Sequence, residues 1–184
     1  MKTALRVPPR VTFGQGGQFA LHSLIIGANM AEERSPHRNP NKSLRRVFGF
    51  VIPPWQRPDT EWTVEQRVRF IESVYSGIHL GVFCYTDSII EAPELNGFLI
   101  DGQQRLSAIE RYLRDEFAVP GEDGVSYKWS ELTEDEQARF YRMQFGFTVV
   151  THRKEADLVK LYNLMAFGGT AHRPDQRAEL PAGQ

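Results

Sequence analysis

The feature that most constrains this chain is an apolar run that turns polar without a linker. Phe98-Leu99-Ile100 reads as a short buried strand and passes directly into Asp101-Gly102-Gln103-Gln104-Arg105. Leu106, Ile109, Tyr112 and Leu113 then recur at helical spacing. A buried strand, a glycine turn and an amphipathic helix must follow one another here. Asp101 falls where an N-cap is expected, and Gly102 permits a tight turn. The first backbone N–H groups of such a helix lack intrahelical acceptors, and its dipole favours anions. Gln103 and Gln104 add amide donors, and Arg105 adds a planar fork suited to phosphate. Asp101 is a candidate ligand for magnesium, or a group that orients a nucleophile. Composition alone favours a plain N-capped helix facing solvent. Four polar residues straight after an apolar strand weigh against that.

Upstream, Val47 to Ile52 reads as a strand that Pro53-Pro54 ends. Prolines flank Trp55-Gln56-Arg57 and stiffen the loop, as a binding group requires. Trp55 or Trp62 could stack on a base; the alternative for Trp62 is a ring pinned to the core. Thr63 is a good N-cap for a helix through Val64, Val68, Ile71, Val74 and Tyr75, with Gly77 just past its end. Val82 to Tyr85 is a strand candidate, and 91–97 a turn. Trp129 to Phe140 is helical in two pieces, Phe147 to Val150 a strand, and Glu155 to Leu164 a helix stopping before Gly168-Gly169. Those glycines read either as a plain C-cap or as a place where backbone approaches a ligand, in which case Thr170 and His172 would point into the same site. The mixed order of short strands and helices gives an α+β fold.

The single cysteine, Cys84, lies in an apolar run and excludes an intramolecular disulfide. It reads as a small buried hydrophobe rather than a nucleophile. No apolar stretch approaches the about 18 residues of a membrane span, and Met1 to Arg10 has no signal-type apolar region, so a cytoplasmic location and no membrane partner are expected. No P-loop, nucleophile elbow or His-Glu-x-x-His occurs. Residues 1–46 carry eight Lys/Arg and two Asp/Glu, whereas the remainder carries fourteen and twenty-one. A basic arm of +6 beside a domain of −7 can follow a DNA backbone, or be a solvated leader. Gly14, Gly16 and Gly17 disfavour regular structure near the start; Leu21 to Ile26 reads as a short strand or turn, and Ala31 to Ser43 as a loop. The expected organisation is a largely irregular arm over 1–46, a domain over 47–172 and a loose tail over 173–184.

Three motifs in order, Ile-Pro-Pro-Trp-Gln-Arg-Pro from Ile52, Ile-Asp-Gly-Gln-Gln-Arg-Leu from Ile100 and Phe-Gly-Gly-Thr-x-His from Phe167, resemble one family. This is the DGQQR family of the ParB/sulfiredoxin superfamily, which includes the N-terminal domains of GmrSD-type modification-dependent restriction enzymes and related phage proteins. The resemblance covers roughly 47–172. It implies a compact ParB/sulfiredoxin-like fold, with a small mixed sheet and flanking helices around a nucleotide cleft. It also implies that ATP or another NTP, with Mg2+, binds through Gln56, Arg57, Gly102, Gln103, Gln104, Arg105, Gly168, Gly169, Thr170 and His172. Asp101, Gln104 and Arg105 would be catalytic, and Asp101 the metal ligand. Two departures stand out. Ala166 occupies a position where the family commonly has asparagine, and no His-Asn-His nuclease follows in this sequence. The expected function is nucleotide-dependent phosphoryl transfer linked to DNA modification or restriction. The protein would be an NTPase, or a kinase acting on a hydroxyl such as one on modified DNA, alone or with a partner protein. The alternatives are a non-catalytic DNA- or protein-binding module and, third, a nuclease.

Overall fold

The computed structural model describes residues 13–34, 43–78, 80–87, 92–152 and 154–167. The chain enters as strand β1 (Phe13–Ala20) and passes directly into helix α1 (Leu21–Arg34). Strands β2 (Arg46–Val47) and β3 (Phe50–Val51) form a hairpin, followed by a 3-10 turn at Asp59–Glu61 and helix α2 (Val64–Tyr75). Strand β4 (Val82–Thr86), a 3-10 turn at Pro93–Leu95 and strand β5 (Leu99–Asp101) lead into helix α3 (Gln103–Leu113). A small hairpin of β6 (Val119–Pro120) and β7 (Ser126–Tyr127) comes next, then a 3-10 turn at Trp129–Glu131. Helix α4 (Glu134–Tyr141), strand β8 (Gln144–Val150) and helix α5 (Glu155–Phe167) complete the described chain.

The main sheet has the order β1-β8-β4-β5. β8 pairs parallel with β4 and antiparallel with β1, while β4 and β5 are antiparallel, so the sheet is mixed. Successive strand residues face opposite sides. Phe83 and Leu99 enter one apolar cluster with Ile71, Leu106, Tyr112 and Phe140, whereas Cys84 and Ile100 enter another with Trp55, Leu158 and Leu161. The sheet is thus covered by α1–α4 on one face and by α5 on the other, and the fold is α+β. β5, the edge strand, ends between α3 and α5.

Helix α2 has the expected ends. Thr63 Oγ1 accepts from Gln66 N, and Gln66 Oε1 accepts from Thr63 N at 2.8 Å, a reciprocal capping box. At its other end Ile78 N bonds Ser73 O and Gly77 N bonds Val74 O, the pairing of a Schellman motif.

Two expectations are corrected. The single strand over Val47–Ile52 is a hairpin: Phe48 and Gly49 have φ of +46° and +79°, the left-handed pair of a two-residue turn. Six β-prone residues do not by themselves distinguish one strand from two short ones. The irregular arm does not extend over 13–34. β1 is paired with β8 from Phe13↔Val150 to Ala20↔Gln144, and Leu21 to Ile26 lies in α1, with Leu21 and Leu24 buried. The glycines that read as breakers make room instead. A Cβ on Gly17 would sit 2.9 Å from the Phe147 ring, which stacks on Phe19 at 4.2 Å between centroids. The β6–β7 hairpin was not foreseen, although Gly121 to Gly124 carries its turn signal.

Cys84 is fully buried, and burial, with the charge of Asp101, pushes its thiol up to about 12. A chromogenic disulfide reagent is therefore expected to leave the native protein unmodified and to titrate one thiol after denaturation. Stoichiometric labelling of the native protein within seconds would contradict this.

Candidate functional site

The site is built where β5 becomes α3. Asp101 is the last residue of β5, and the N-cap of α3 is Gly102, at φ +99°, with no side-chain cap. The expectation that Asp101 caps the helix is corrected. The left-handed turn at Gly102 carries the Asp101 carboxylate to Arg105, whose Nη2 donates to Oδ2 at 2.7 Å. The first α3 hydrogen bond runs from Leu106 N to Gly102 O, so the N–H groups of Gln103, Gln104 and Arg105 have no intrahelical acceptor.

Arg105 is largely occupied by its own chain. Its Nη1 donates to Leu80 O and its Nη2 to Val82 O, both at 2.9 Å, and its guanidinium lies 5.8 Å from the Phe145 ring centre. It ties the segment before β4 to the start of α3. Arg57 is different. Half-buried on the stiff proline loop, it makes no side-chain hydrogen bond or ion pair among the described residues.

The three glutamines knit that loop to the junction. Gln56 Nε2 donates to Leu99 O, and to Ile100 O at 3.2 Å. In the amide orientation that satisfies both ends, buried Gln103 donates to Gln56 Oε1 at 2.7 Å and to Arg57 O at 3.1 Å, and accepts from Asp59 N. Gln104 Nε2 donates to Pro58 O at 2.9 Å. That bond fixes which end of the amide is nitrogen, and leaves Oε1 buried with no partner among the described residues.

Between the loop, the junction and α5 lies a cleft of about 130 Å³. It is lined by Gln56, Arg57, Asp101 and Gly102–Arg105 together with Trp62, Ile100, Tyr162, Met165 and Ala166. Tyr162, Met165 and Ala166 recur at i, i+3 and i+4, so one face of α5 contributes to the lining. Tyr162 Oη is also buried without a hydrogen-bond partner among the described residues. Burial pushes its pKa up and outweighs the opposing pull of the Arg57 charge and of the nearby Arg57 backbone amide, which is not in hydrogen-bonding geometry. Of the two tryptophans weighed for stacking, Trp62 lines the cleft. Trp55 is buried against Tyr162 and donates to Glu155 Oε1 at 2.9 Å. Ala166 is buried in the wall, presenting a methyl where asparagine would present an amide. Gly168, Gly169, Thr170 and His172 lie outside the described residues.

A second layer went unread in the sequence. Buried Asp59 accepts from Arg111 at 3.0 Å and forms an ion pair with Arg45 at 2.6 Å, and Arg45 also donates to Ser107 Oγ. Burial alone would raise the Asp59 pKa. The Arg111 hydrogen bond and the charges of both arginines outweigh it and hold the carboxyl below its ordinary value. The available signal was the recurrence of Gln104, Ser107 and Arg111 at i, i+3 and i+7, a polar stripe beside the apolar face of α3.

Asp101 is the one carboxylate among the residues lining the cleft, and no group of three His, Cys, Asp or Glu side chains among the described residues could hold a metal. This donor set fits a magnesium ion that brings the rest of its shell as water and phosphate oxygen, not one caged by protein alone.

The fold is thus an α+β domain whose mixed sheet ends at a helix N-terminus lining a cleft, beside a guanidinium with no partner among the described residues. The profile of the GmrSD restriction endonuclease N-terminal domain matches residues 39–167, and the chain belongs to that family. The match begins ahead of the hairpin at Arg46, inside the segment first assigned to the arm, and ends with α5. No curated protein and no solved structure matches the chain. No helix among the described residues is long and apolar enough to cross a membrane.

Proposed function

We propose that the cleft binds the phosphates of a nucleoside triphosphate and that the domain couples phosphoryl transfer to DNA restriction. The observation that carries this reading is the convergence in one cleft of the α3 N-terminus, Asp101 and Arg57, the last without a side-chain partner among the described residues. Phosphoryl transfer needs positioning and charge stabilisation more than covalent chemistry. Arg57 and the α3 N–H groups would take the phosphate charge. Arg105 would act by holding the junction in shape, because its fork already faces Leu80, Val82 and Asp101. Asp101 would hold magnesium, which when bound neutralises phosphate charge. With water as acceptor the products are nucleoside diphosphate and phosphate. With a hydroxyl as acceptor, such as one on a modified base, the domain is a kinase. The +6 charge of residues 1–46 supports DNA as a partner, and family membership supports a partner protein within a restriction system.

The occupied fork of Arg105 favours a second reading, in which the module binds DNA or protein and nucleotide serves only as a switch. A nuclease ranks third, because two-metal cleavage needs more carboxylates than Asp101 alone. Incubation with ATP or GTP labelled at the γ-phosphate, with and without DNA, separates these readings. Free labelled phosphate means an NTPase, labelled DNA a kinase, and no turnover with retained binding the switch. Arg57→Ala is expected to weaken nucleotide binding about 10- to 100-fold, the worth of a charge-assisted contact, with an unchanged melting temperature. Wild-type affinity in that variant by calorimetry would remove Arg57 from the site.

A further inference from the structure

Two polar atoms in the cleft wall are not explained by phosphate binding. Gln104 is 8% exposed and Tyr162 6%, both line the cleft, and Gln104 Oε1 and Tyr162 Oη have no hydrogen-bond partner among the described residues. A buried polar group left unpaired is costly, and native structures seldom keep one without a reason. Gln104 Oε1 can only accept, since the bond to Pro58 O fixes the amide. It would face a phosphate oxygen, another acceptor, unfavourably. Tyr162 Oη can donate. Beside its polar lining the cleft has an apolar one: the half-buried Trp62 ring, Met165, Ile100 and Ala166. An apolar ring and side chains, joined by lining residues that carry an unpaired acceptor and an unpaired donor, match a planar heterocycle that offers N–H and ring nitrogen or carbonyl along its edge. At about 130 Å³ the cleft is smaller than the roughly 300 Å³ or more of pockets that enclose whole drug-sized ligands, so only part of a nucleotide is enclosed.

We infer that the cleft reads the polar edge of a nucleobase through Gln104 Oε1 and Tyr162 Oη, with the ring against Trp62 and Met165. This deepens the nucleotide reading and rests on it. The base, not the phosphate chain alone, then contributes to affinity, and Gln104 and Tyr162 determine which base is preferred.

Tyr162→Phe is the cleanest probe, because it removes one oxygen and keeps the ring edge on Trp55. The full chain, wild type and variant, is titrated calorimetrically with ATP, CTP, GTP, UTP and inorganic tripolyphosphate, each with magnesium. At least one nucleoside triphosphate is expected to bind more tightly than tripolyphosphate. Its affinity should fall about tenfold in Tyr162→Phe, the worth of one hydrogen bond, while tripolyphosphate binding stays constant. Gln104→Met should show the same selective loss. If it does not fold, Tyr162→Phe decides alone. Tripolyphosphate binding as tightly as every nucleotide, with no effect of Tyr162→Phe, overturns base recognition and leaves the phosphate reading intact. An equal loss for nucleotides and tripolyphosphate overturns it too, since Tyr162 would then act on the phosphate end or on the fold. Absence of binding by all five overturns both readings.

Discussion

Gly102→Ala is expected to cost the domain about 3–5 kcal/mol. The backbone at Gly102 has φ +99°, where any side chain is strained by about 1–3 kcal/mol. A Cβ there would also lie 2.6 Å from Phe83 Cβ and 3.2 Å from Phe83 Cα. Phe83 is fully buried, with its ring stacked near Phe145 and Tyr85, so it cannot retreat cheaply. Overpacking of that kind adds about 1–3 kcal/mol. Against a total stability of about 5–15 kcal/mol, the loss is large. Urea denaturation should show it as a midpoint lowered by roughly 2 M. Gly97→Ala is the control. Gly97 also has positive φ, at +78°, but a Cβ there meets nothing within 4 Å, so only the backbone strain is added. Equal losses in the two variants would show that the approach to Phe83 contributes nothing.

Asp59→Asn is expected to be the other severe change, at about 2–3 kcal/mol. Removing one partner of a buried ion pair leaves the other charge uncompensated, and costs about 3–5 kcal/mol when both are fully desolvated. Arg45 and Arg111 keep 40% and 26% of their side chains exposed, which lowers the figure. The pH dependence identifies the cause. The folded pKa of Asp59 lies below its ordinary value of 3.8, so on acidification the unfolded chain takes up the proton first. The stabilisation is full above about pH 4 and is lost as the pH falls through the folded pKa. Denaturation midpoints of the wild type should therefore decline on that acid limb, and those of Asp59→Asn should decline less. Parallel curves would assign the loss to packing rather than charge. Because Asp59 N also donates to Gln103, the substitution should loosen the loop bearing Arg57, and nucleotide affinity should fall with it.

The backbone plan of the site was legible in the sequence because it rests on local patterns. The apolar strand running into Asp101-Gly102, the helical spacing after it, the proline-stiffened Gln56-Arg57 loop and the Thr63 cap all depend on near neighbours in the chain. The destinations of the polar side chains were not legible. Arg105 and Arg57 look alike as phosphate forks. Only the folded chain brings the Leu80 and Val82 carbonyls to Arg105 and leaves Arg57 without them. Asp101 looked like a cap because it precedes a helix. One left-handed residue, Gly102, moved the cap by a position and turned the carboxylate to Arg105. β1 was hidden because Gly16 and Gly17 signal a turn locally, whereas the reason for Gly17 is a phenylalanine ring more than a hundred residues away.

Gln56 has a consequence beyond the cleft. β5 is an outer strand of the sheet, and such a margin presents unsatisfied carbonyls that another chain can zip onto. The Gln56 amide occupies two of them, those of Leu99 and Ile100, and Val51 N takes Gly97 O at 2.7 Å. A side chain and a short bridge thus stand in for a neighbouring strand. The loop that lines the cleft thereby also covers this margin against intermolecular strand addition.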